Sequence, residues 1–331
     1  MRINVAVIGA GSWGTTVAAL AAENTSTTLW SRRGDLADVI NSTHENCDYL
    51  PGFSLPESLR ATGDLREAVS AADVLVMAVP SHGYRAVAAE AAPYLRPWVP
   101  VVSLVKGVER DSLKRMSEVT AEEMPGHPVA VLAGPNLAKE ILAGQPAASV
   151  VAIDDETIAH ELQRIFTRPS LLIYTNPDVV GCEVSGVVKN IIAIAAGMAE
   201  GMGFGENSRA TIITRGLAEM SRLGLALGGN ALTFAGLAGI GDLVATCSSK
   251  QSRNNTVGLQ LGQGRSIDSI LAGMSMVAEG VKSSSSVLEL ARRYGVEMPI
   301  TEQVVAVCHH GRSARDAMTL LMQRSIKSEI G

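Results

Sequence analysis

An apolar run at residues 4–8 leads directly into Gly9-Ala10-Gly11-Ser12-Trp13-Gly14, and an alanine-rich helical pattern over 15–23 follows at once. Few short sequences constrain a chain as much as a strand, a G-x-G-x-x-G loop and a helix in that order. Gly9 would permit the tight turn, Gly11 would let the backbone approach a pyrophosphate, and Gly14 would let helix and strand pack closely. The helix N-terminus adds unpaired N–H groups and the positive end of a dipole. The same six residues also fit a turn that is merely tight. Their place at the head of a strand–helix series is what predicts dinucleotide binding.

The series continues. Apolar or β-branched runs at 27–30, 73–79, 100–105, 128–133, 148–153 and 171–175 alternate with helical patterns at 82–92, 112–123 and 156–166. Continuous apolar strands separated by helices predict an α/β architecture: a doubly wound, mostly parallel sheet covered on both faces. Beyond Pro177 the pattern changes. From Glu183 onward no alternating strand is evident, only helical stretches at 184–200, 208–225, 254–261, 281–294 and 302–310. We therefore expect a Rossmann-like dinucleotide-binding domain over 1–180 and an all-helical substrate domain over 181–331.

The end of the second strand bears on which dinucleotide binds. An NAD site usually places a carboxylate there, to accept from the ribose 2′-hydroxyl. This chain reads Trp30-Ser31-Arg32-Arg33, with no acid before Asp35. Guanidinium forks suit a 2′-phosphate, so NADP(H) is expected to be preferred, with NAD(H) also accepted. The plainer alternative is a solvated arginine pair at a loop start.

Lys189 lies in Val187-Val188-Lys189-Asn190-Ile191-Ile192, where nearly every neighbour is apolar. A helix with so little polar surface is buried, so this lysine either snorkels to solvent or sits desolvated in a cleft. Desolvation lowers an ammonium pKa toward the range a general acid/base needs. Asp242 follows Gly239-Ile240-Gly241 and precedes an apolar helix, where its ordinary role is an N-cap. Ser252-Arg253-Asn254 gathers hydroxyl, guanidinium and amide groups before another helix, which makes either a phosphate cradle or a solvated connection. Lys106 follows a strand, at the end of the sheet where ligands bind in doubly wound folds. His82 is a weaker candidate of the same kind, and His309 and His310 read as non-catalytic.

Composition closes off other classes. Of 331 residues, 47% are hydrophobic and 18% charged, which suits a large packed core and not disorder. Lys and Arg number 28 against 33 Asp and Glu, so no general basic field invites nucleic acid. Cys47, Cys182, Cys247 and Cys308 show neither metal-ligand nor paired spacing, and read as small buried hydrophobes in a reducing compartment. No metal site is expected. Neither a signal segment nor a stretch able to span a bilayer is expected, which points to the cytoplasm.

Taken in order, these segments resemble the bacterial-type NAD(P)-dependent sn-glycerol-3-phosphate dehydrogenases. The resemblance spans the chain and rests on GAGSWG, LVKGVE (104–109), AGPNLAKE (133–140), SGVVKNIIAIAAG (185–197), ITRGLAEM (213–220), GIGDLVATCSSKQSRN (239–254) and MVAEG (276–280). It implies hydride transfer between dihydroxyacetone phosphate and glycerol 3-phosphate, supplying glycerophospholipid synthesis. By resemblance Lys189 matches the general acid/base, with Lys106 and Asp242 lining the same site. Gly134, Asn136, Ser252, Arg253 and Asn254 match substrate contacts. Ser12, Trp13, Arg32, Arg33, Lys106, Ala138, Arg253, Val277 and Glu279 match nucleotide contacts. Where the family usually has Gly-Pro-[Ser/Thr]-Phe-Ala, this chain has Asn136 and Leu137, and Leu104-Val105 precedes Lys106 in place of small or hydroxylic residues. An amide both donates and accepts, so substrate binding altered in detail is expected at Asn136. Related β-hydroxyacid dehydrogenases and ketopantoate reductases share the architecture but not the phosphate loop. A nucleotide-binding redox sensor would need neither the loop nor the buried lysine. An alanine-rich helical domain also leads us to expect a homodimer.

Overall fold

The computed structural model describes residues 3–274 and 278–323. The first half contains β1 (Asn4–Ile8), α1 (Ser12–Asn24), β2 (Ser26–Trp30), α2 (Gly34–Thr43), β3 (Arg60–Thr62), α3 (Leu65–Ser70) and β4 (Val74–Met77). It continues through α4 (Ser81–Ala91), β5 (Val101–Ser103), α5 (Met116–Glu123), β6 (Val129–Ala133), α6 (Ala138–Leu142), β7 (Ala147–Ala152), α7 (Glu156–Phe166) and β8 (Leu171–Asn176). The strands form one sheet in the order β3-β2-β1-β4-β5-β6-β7-β8. Successive side chains of a strand point to opposite faces, and the core divides accordingly. Val5 and Val7 join α1, α2, α6 and α7 on one face. Ala6 and Ile8 join α3, α4 and α5 on the other. Every strand but β3 and the edge strand β8 is buried along most of its length, which is why the runs read as continuously apolar.

The first six strands are parallel, and β7 then pairs antiparallel with β6, with Val131 opposite Ala152. β8 follows β7 in parallel. The connection from β6 explains the reversal. Its only helix, α6, has five residues and rises about 7.5 Å, too little to carry the chain back along a five-residue strand of roughly 17 Å. The helix expected over 112–123 is also shorter. It begins at Met116, and residues 106–115 form a loop closed by an antiparallel bridge between Val108 and Arg115.

The second half is helical: α8 (Val179–Gly201), α9 (Glu206–Ala226), α10 (Ala231–Phe234), a π-helical turn (Leu237–Gly241), α11 (Asp242–Ser248), α12 (Arg253–Gly262), α13 (Ile267–Ala272), α14 (Glu279–Arg293), α15 (Pro299–His309) and α16 (Ala314–Met322). Its core surrounds α8, whose residues 181–199 are all buried. By length and mean hydropathy α8 would cross a bilayer, as would 231–248, so the expectation that no stretch qualifies is corrected. The reason is burial: in α8, 89% of the most apolar window is covered by the protein itself.

α12 crosses α8 backbone to backbone. A Cβ on Gly197 would lie 2.1 Å from the Asn255 carbonyl oxygen, and one on Gly258 2.0 Å from that of Ile194. Gly201 and Gly262, one turn further along each helix, make the same close approach. Glycine at both ends of the seam is therefore a steric requirement, although glycine disfavours a helix by about 1 kcal/mol relative to alanine.

All four cysteines are free. Cys182, Cys247 and Cys308 are buried, but Cys47 is exposed in the irregular stretch after α2, which corrects the reading of all four as buried hydrophobes.

Candidate active site

β4, β5 and β6 are parallel, so their C-terminal ends share one edge of the sheet. Three residues past β5, the Lys106 ammonium donates to the Gly134 carbonyl just after β6 (3.0 Å) and to Asp242 Oδ2 (2.7 Å). Gly134 adopts φ +123°, a conformation open to glycine, and a Cβ there would press on Ser149 Cα at 3.1 Å.

Asp242 arrives from the helical half. The π-helical turn that delivers it depends on Gly239, whose Cβ would stand 2.1 Å from the Phe234 carbonyl oxygen. Such turns are rare and often mark functional sites. Asp242 is the first residue of α11, not its N-cap, and is 1% exposed. Its second oxygen, Oδ1, accepts from the Lys189 ammonium, which also donates to Thr246 Oγ1 at 2.7 Å. The Thr246 hydroxyl in turn donates to the Asp242 carbonyl oxygen (2.7 Å). One buried carboxylate thus bridges two lysines, and two of the three N–H groups of each ammonium are accounted for. Among the described residues, a third on each has no partner and could meet an oxygen of a ligand.

Lys189 does not snorkel. It is 6% exposed within α8. Burial pushes its pKa down from the ordinary 10.5 to about 7; the Asp242 charge opposes this and the Lys106 charge adds to it. An amine with that value is charged and neutral in comparable amounts near neutrality, which suits proton transfer in either direction.

The dinucleotide turn is built as a cradle. Gly9 has φ +121°, and a Cβ there would clash with the Ala78 carbonyl at 2.9 Å. A Cβ on Gly14 would stand 2.0 Å from the Gly9 carbonyl oxygen, whereas one on Gly11 meets nothing within 4 Å. Gly11 is the N-cap of α1, and no side chain caps that helix end. Buried Trp13 Nε1 has no hydrogen-bond partner among the described residues. Open space at Gly11, uncapped N–H groups and an orphaned indole donor fit a pyrophosphate-bearing group. The stretch after α2 braces the loop: Asn46 Nδ2 donates to the Ala10 carbonyl (2.9 Å) and to Thr15 Oγ1 (2.8 Å), and Ser12 Oγ donates to the Tyr49 carbonyl (3.1 Å).

The two arginines are not equivalent. The Arg33 guanidinium is paired with Asp48, with Asp35 at 3.9 Å. Arg32 is exposed and makes no hydrogen bond or ion pair among the described residues. Glu279, at the start of α14, reaches the sheet half and accepts from Ser81 Oγ at 3.4 Å. Ala138 is the first residue of α6. Val277 lies outside the described residues.

Around the polar loop before α12, Ser252 is the N-cap and accepts from the Asn255 N–H (3.2 Å). Asn254 joins three helices: its Nδ2 donates to Asn190 Oδ1 and its Oδ1 accepts from the Gly280 N–H, both at 2.9 Å. Arg253 is exposed, yet enough protein crowds it that desolvation lowers its pKa, with the Glu279 charge pulling the other way. Across the mouth, Gln251 donates to Glu140 of α6 at 2.8 Å. Asn136 Oδ1 accepts from Ser149 Oγ, and Asn136 Nδ2 is buried without a partner among the described residues. Thr246, Asn46 and Asn190 were not singled out from sequence. The four-residue offset of Thr246 from Asp242 was the available signal.

The family models for the N-terminal and C-terminal parts of NAD-dependent glycerol-3-phosphate dehydrogenase match residues 4–159 and 178–319. The chain belongs to the NAD-dependent glycerol-3-phosphate dehydrogenase family. A relative from Sphingopyxis alaskensis, named glycerol-3-phosphate dehydrogenase [NAD(P)+] 2, is 54% identical over 99% of both chains. One from Streptomyces coelicolor is 54% identical over 99% of this chain and 98% of its own. A crystal structure of the glycerol-3-phosphate dehydrogenase of Coxiella burnetii superposes with a TM-score of 0.94 at 36% identity, covering 98% of this chain and 99% of that one. A ketopantoate reductase from Ralstonia eutropha shares the fold alone, at 16% identity and a TM-score of 0.61. A carboxylate bridging two lysines, at the edge of the sheet that also carries the dinucleotide turn, can give or take a proton.

Proposed function

We propose that this chain interconverts dihydroxyacetone phosphate and sn-glycerol 3-phosphate with NADPH or NADH, and that Lys189 is its general acid/base. The observation that carries the reading is the Lys189–Asp242–Lys106 triad, with Lys189 and Asp242 buried, set where the helical half meets the C-terminal edge of the sheet. When bound, the reduced nicotinamide supplies a hydride to the substrate carbonyl carbon. Charged Lys189 gives a proton to the developing alkoxide, and in reverse its neutral amine takes the hydroxyl proton. Lys106 adds positive charge beside the same oxygen, and Asp242 holds both amines in place. Arg253, the Ser252 hydroxyl and the α12 N-terminus would hold the substrate phosphate, with Gly134 and Asn136 on the opposite wall. Gly9, Gly11, Ser12, Trp13, Gly14, Arg32, Arg33, Ala138 and Glu279 would hold the dinucleotide. The division near residue 180 belongs to the same proposal, supported by the last strand ending at Asn176 and α8 starting at Val179. So does a cytoplasmic location.

The deciding experiment follows loss of NADPH absorbance with dihydroxyacetone phosphate, and with unphosphorylated dihydroxyacetone as control. Turnover of the first and not the second is expected. Equal turnover would remove the phosphate-binding role of the loop at 252–254.

Cofactor preference has its own test. With Arg33 engaged by Asp48, Arg32 is the guanidinium best placed to meet a 2′-phosphate. Arg32→Ala is expected to lower kcat/KM for NADPH by roughly 10-fold, the scale of one lost charge-assisted hydrogen bond, and to leave NADH almost untouched. An unchanged NADPH/NADH ratio would show that preference arises elsewhere.

A further inference from the structure

We propose that Glu183 is a positioning residue for the two lysines: its carboxylate grips the loop that carries Lys106 and so fixes where that amine stands relative to Lys189. The inference rests on the roles given to those lysines above. Glu183 is 4% exposed on α8, six residues before Lys189, about 9 Å along the helix axis. Although it belongs to the helical half, every side-chain hydrogen bond it makes among the described residues goes to the sheet half. It accepts from the Ser117 N–H (2.8 Å), the Ser117 hydroxyl (2.5 Å) and the Arg115 guanidinium (2.7 Å). Since Ser117 lies in the first turn of α5, a carboxylate from another helix is capping that end.

What Glu183 holds is mechanically close to Lys106. Arg115 is bridged to Val108, and the Glu109 N–H donates to the Lys114 carbonyl at 2.9 Å, so the loop is a closed unit. Arg85 clamps the Glu109 carboxylate with two bonds of 2.7 and 2.8 Å. Val108, two residues from Lys106, packs into the helical core beside Val184, Val187 and Val188. Lys106 itself lies across α8 at Gly186, where a Cβ would come within 3.2 Å of its Cγ. Thus α8 carries one lysine, touches the stem of the other, and holds that second lysine's loop by an ion pair. A buried ion pair is a weak source of net stability, because desolvation offsets the attraction. Its contribution here is a fixed distance between groups that come from different halves of the chain.

The test is Glu183→Gln in the full chain, a near-isosteric change that keeps one carbonyl acceptor. Wild-type turnover of dihydroxyacetone phosphate checks the functional reading separately; the ratio of variant to wild type checks this one. The expected result is a kcat lower by roughly 10–100-fold, the cost of misplacing a reacting group by about an ångström. NADPH affinity should be unchanged, and the isotope effect with deuterated nicotinamide should rise as hydride transfer becomes rate-limiting. Arg115→Lys, which keeps the charge and loses the fork, should fall between the two. A folded Glu183→Gln protein with wild-type kcat and isotope effect overturns the proposal, as does a loss of activity accounted for by the unfolded fraction at the assay temperature. Should that variant fail to fold, Ser117→Ala takes its place. A smaller fall in kcat with the same raised isotope effect supports the proposal, and no change in either overturns it.

Discussion

Lys189→Met is expected to lower kcat for dihydroxyacetone phosphate reduction by about 10²–10⁴-fold, the range general acid–base catalysis supplies, while NADPH binding stays intact. Methionine fills nearly the same volume in an apolar helix, so the fold should survive where a smaller residue would leave a cavity. The pH profile should change in the same experiment. With its pKa pushed down to about 7 by burial, wild-type Lys189 loses its proton above that value. Reduction, which consumes the ammonium, should therefore decline above about pH 7, and oxidation of glycerol 3-phosphate should rise over the same range. Both limbs should vanish in the variant. Stability carries the complementary sign. Between about 7 and 10.5 the unfolded chain binds one more proton at this residue than the folded chain, so this lysine's contribution to stability grows with pH across that window. A methionine variant with near-normal turnover would remove Lys189 from its role.

Asp242→Asn is the second large effect. It keeps the size of the side chain and removes the charge that the buried Lys189 ammonium and the partly exposed Lys106 ammonium share. Breaking such an arrangement costs about 3–5 kcal/mol, so chemical denaturation should show a protein that is folded but clearly weakened. Asp242 is also what most strongly holds the Lys189 pKa up. Without it the descending limb of the reduction profile should move about 1–3 pH units lower, the usual effect of one adjacent charge, and activity at neutral pH should fall with it. A weakened protein whose limb has not moved would mean that another group sets the profile.

How much of this could be read beforehand depended on distance along the chain. The turn at Gly9–Gly14 was legible because every part of it is local. So was the buried helix around Lys189, but periodicity left two fates open for that side chain, and only tertiary packing decides between them. The bridge by Asp242 joins residues 53 and 136 positions apart, beyond anything spacing can show. The Arg33–Asp48 pair was missed because Asp48 lies in an irregular stretch that carries no pattern. β3, α3, α6, α10 and α13, of three to six residues, are too short to stand out. The reversal at β7 was hidden because a buried strand is equally apolar in either direction. The i, i+4 glycines of α8 and α12 are visible in the chain, yet their meaning appears only when the two helices are seen to cross.

That crossing has a consequence for motion. Where two helices touch through their main chains, no side chain stands between them to rotate or yield, and sliding one past the other would drive carbonyl into α-carbon. Under the roles proposed above, the phosphate anchor at the head of one rod and the proton donor on the other are therefore held together as a single jaw. Closing over a bound molecule is then expected as a swing of this jaw against the nucleotide half, felt first at the exposed Gln251–Glu140 contact across the mouth.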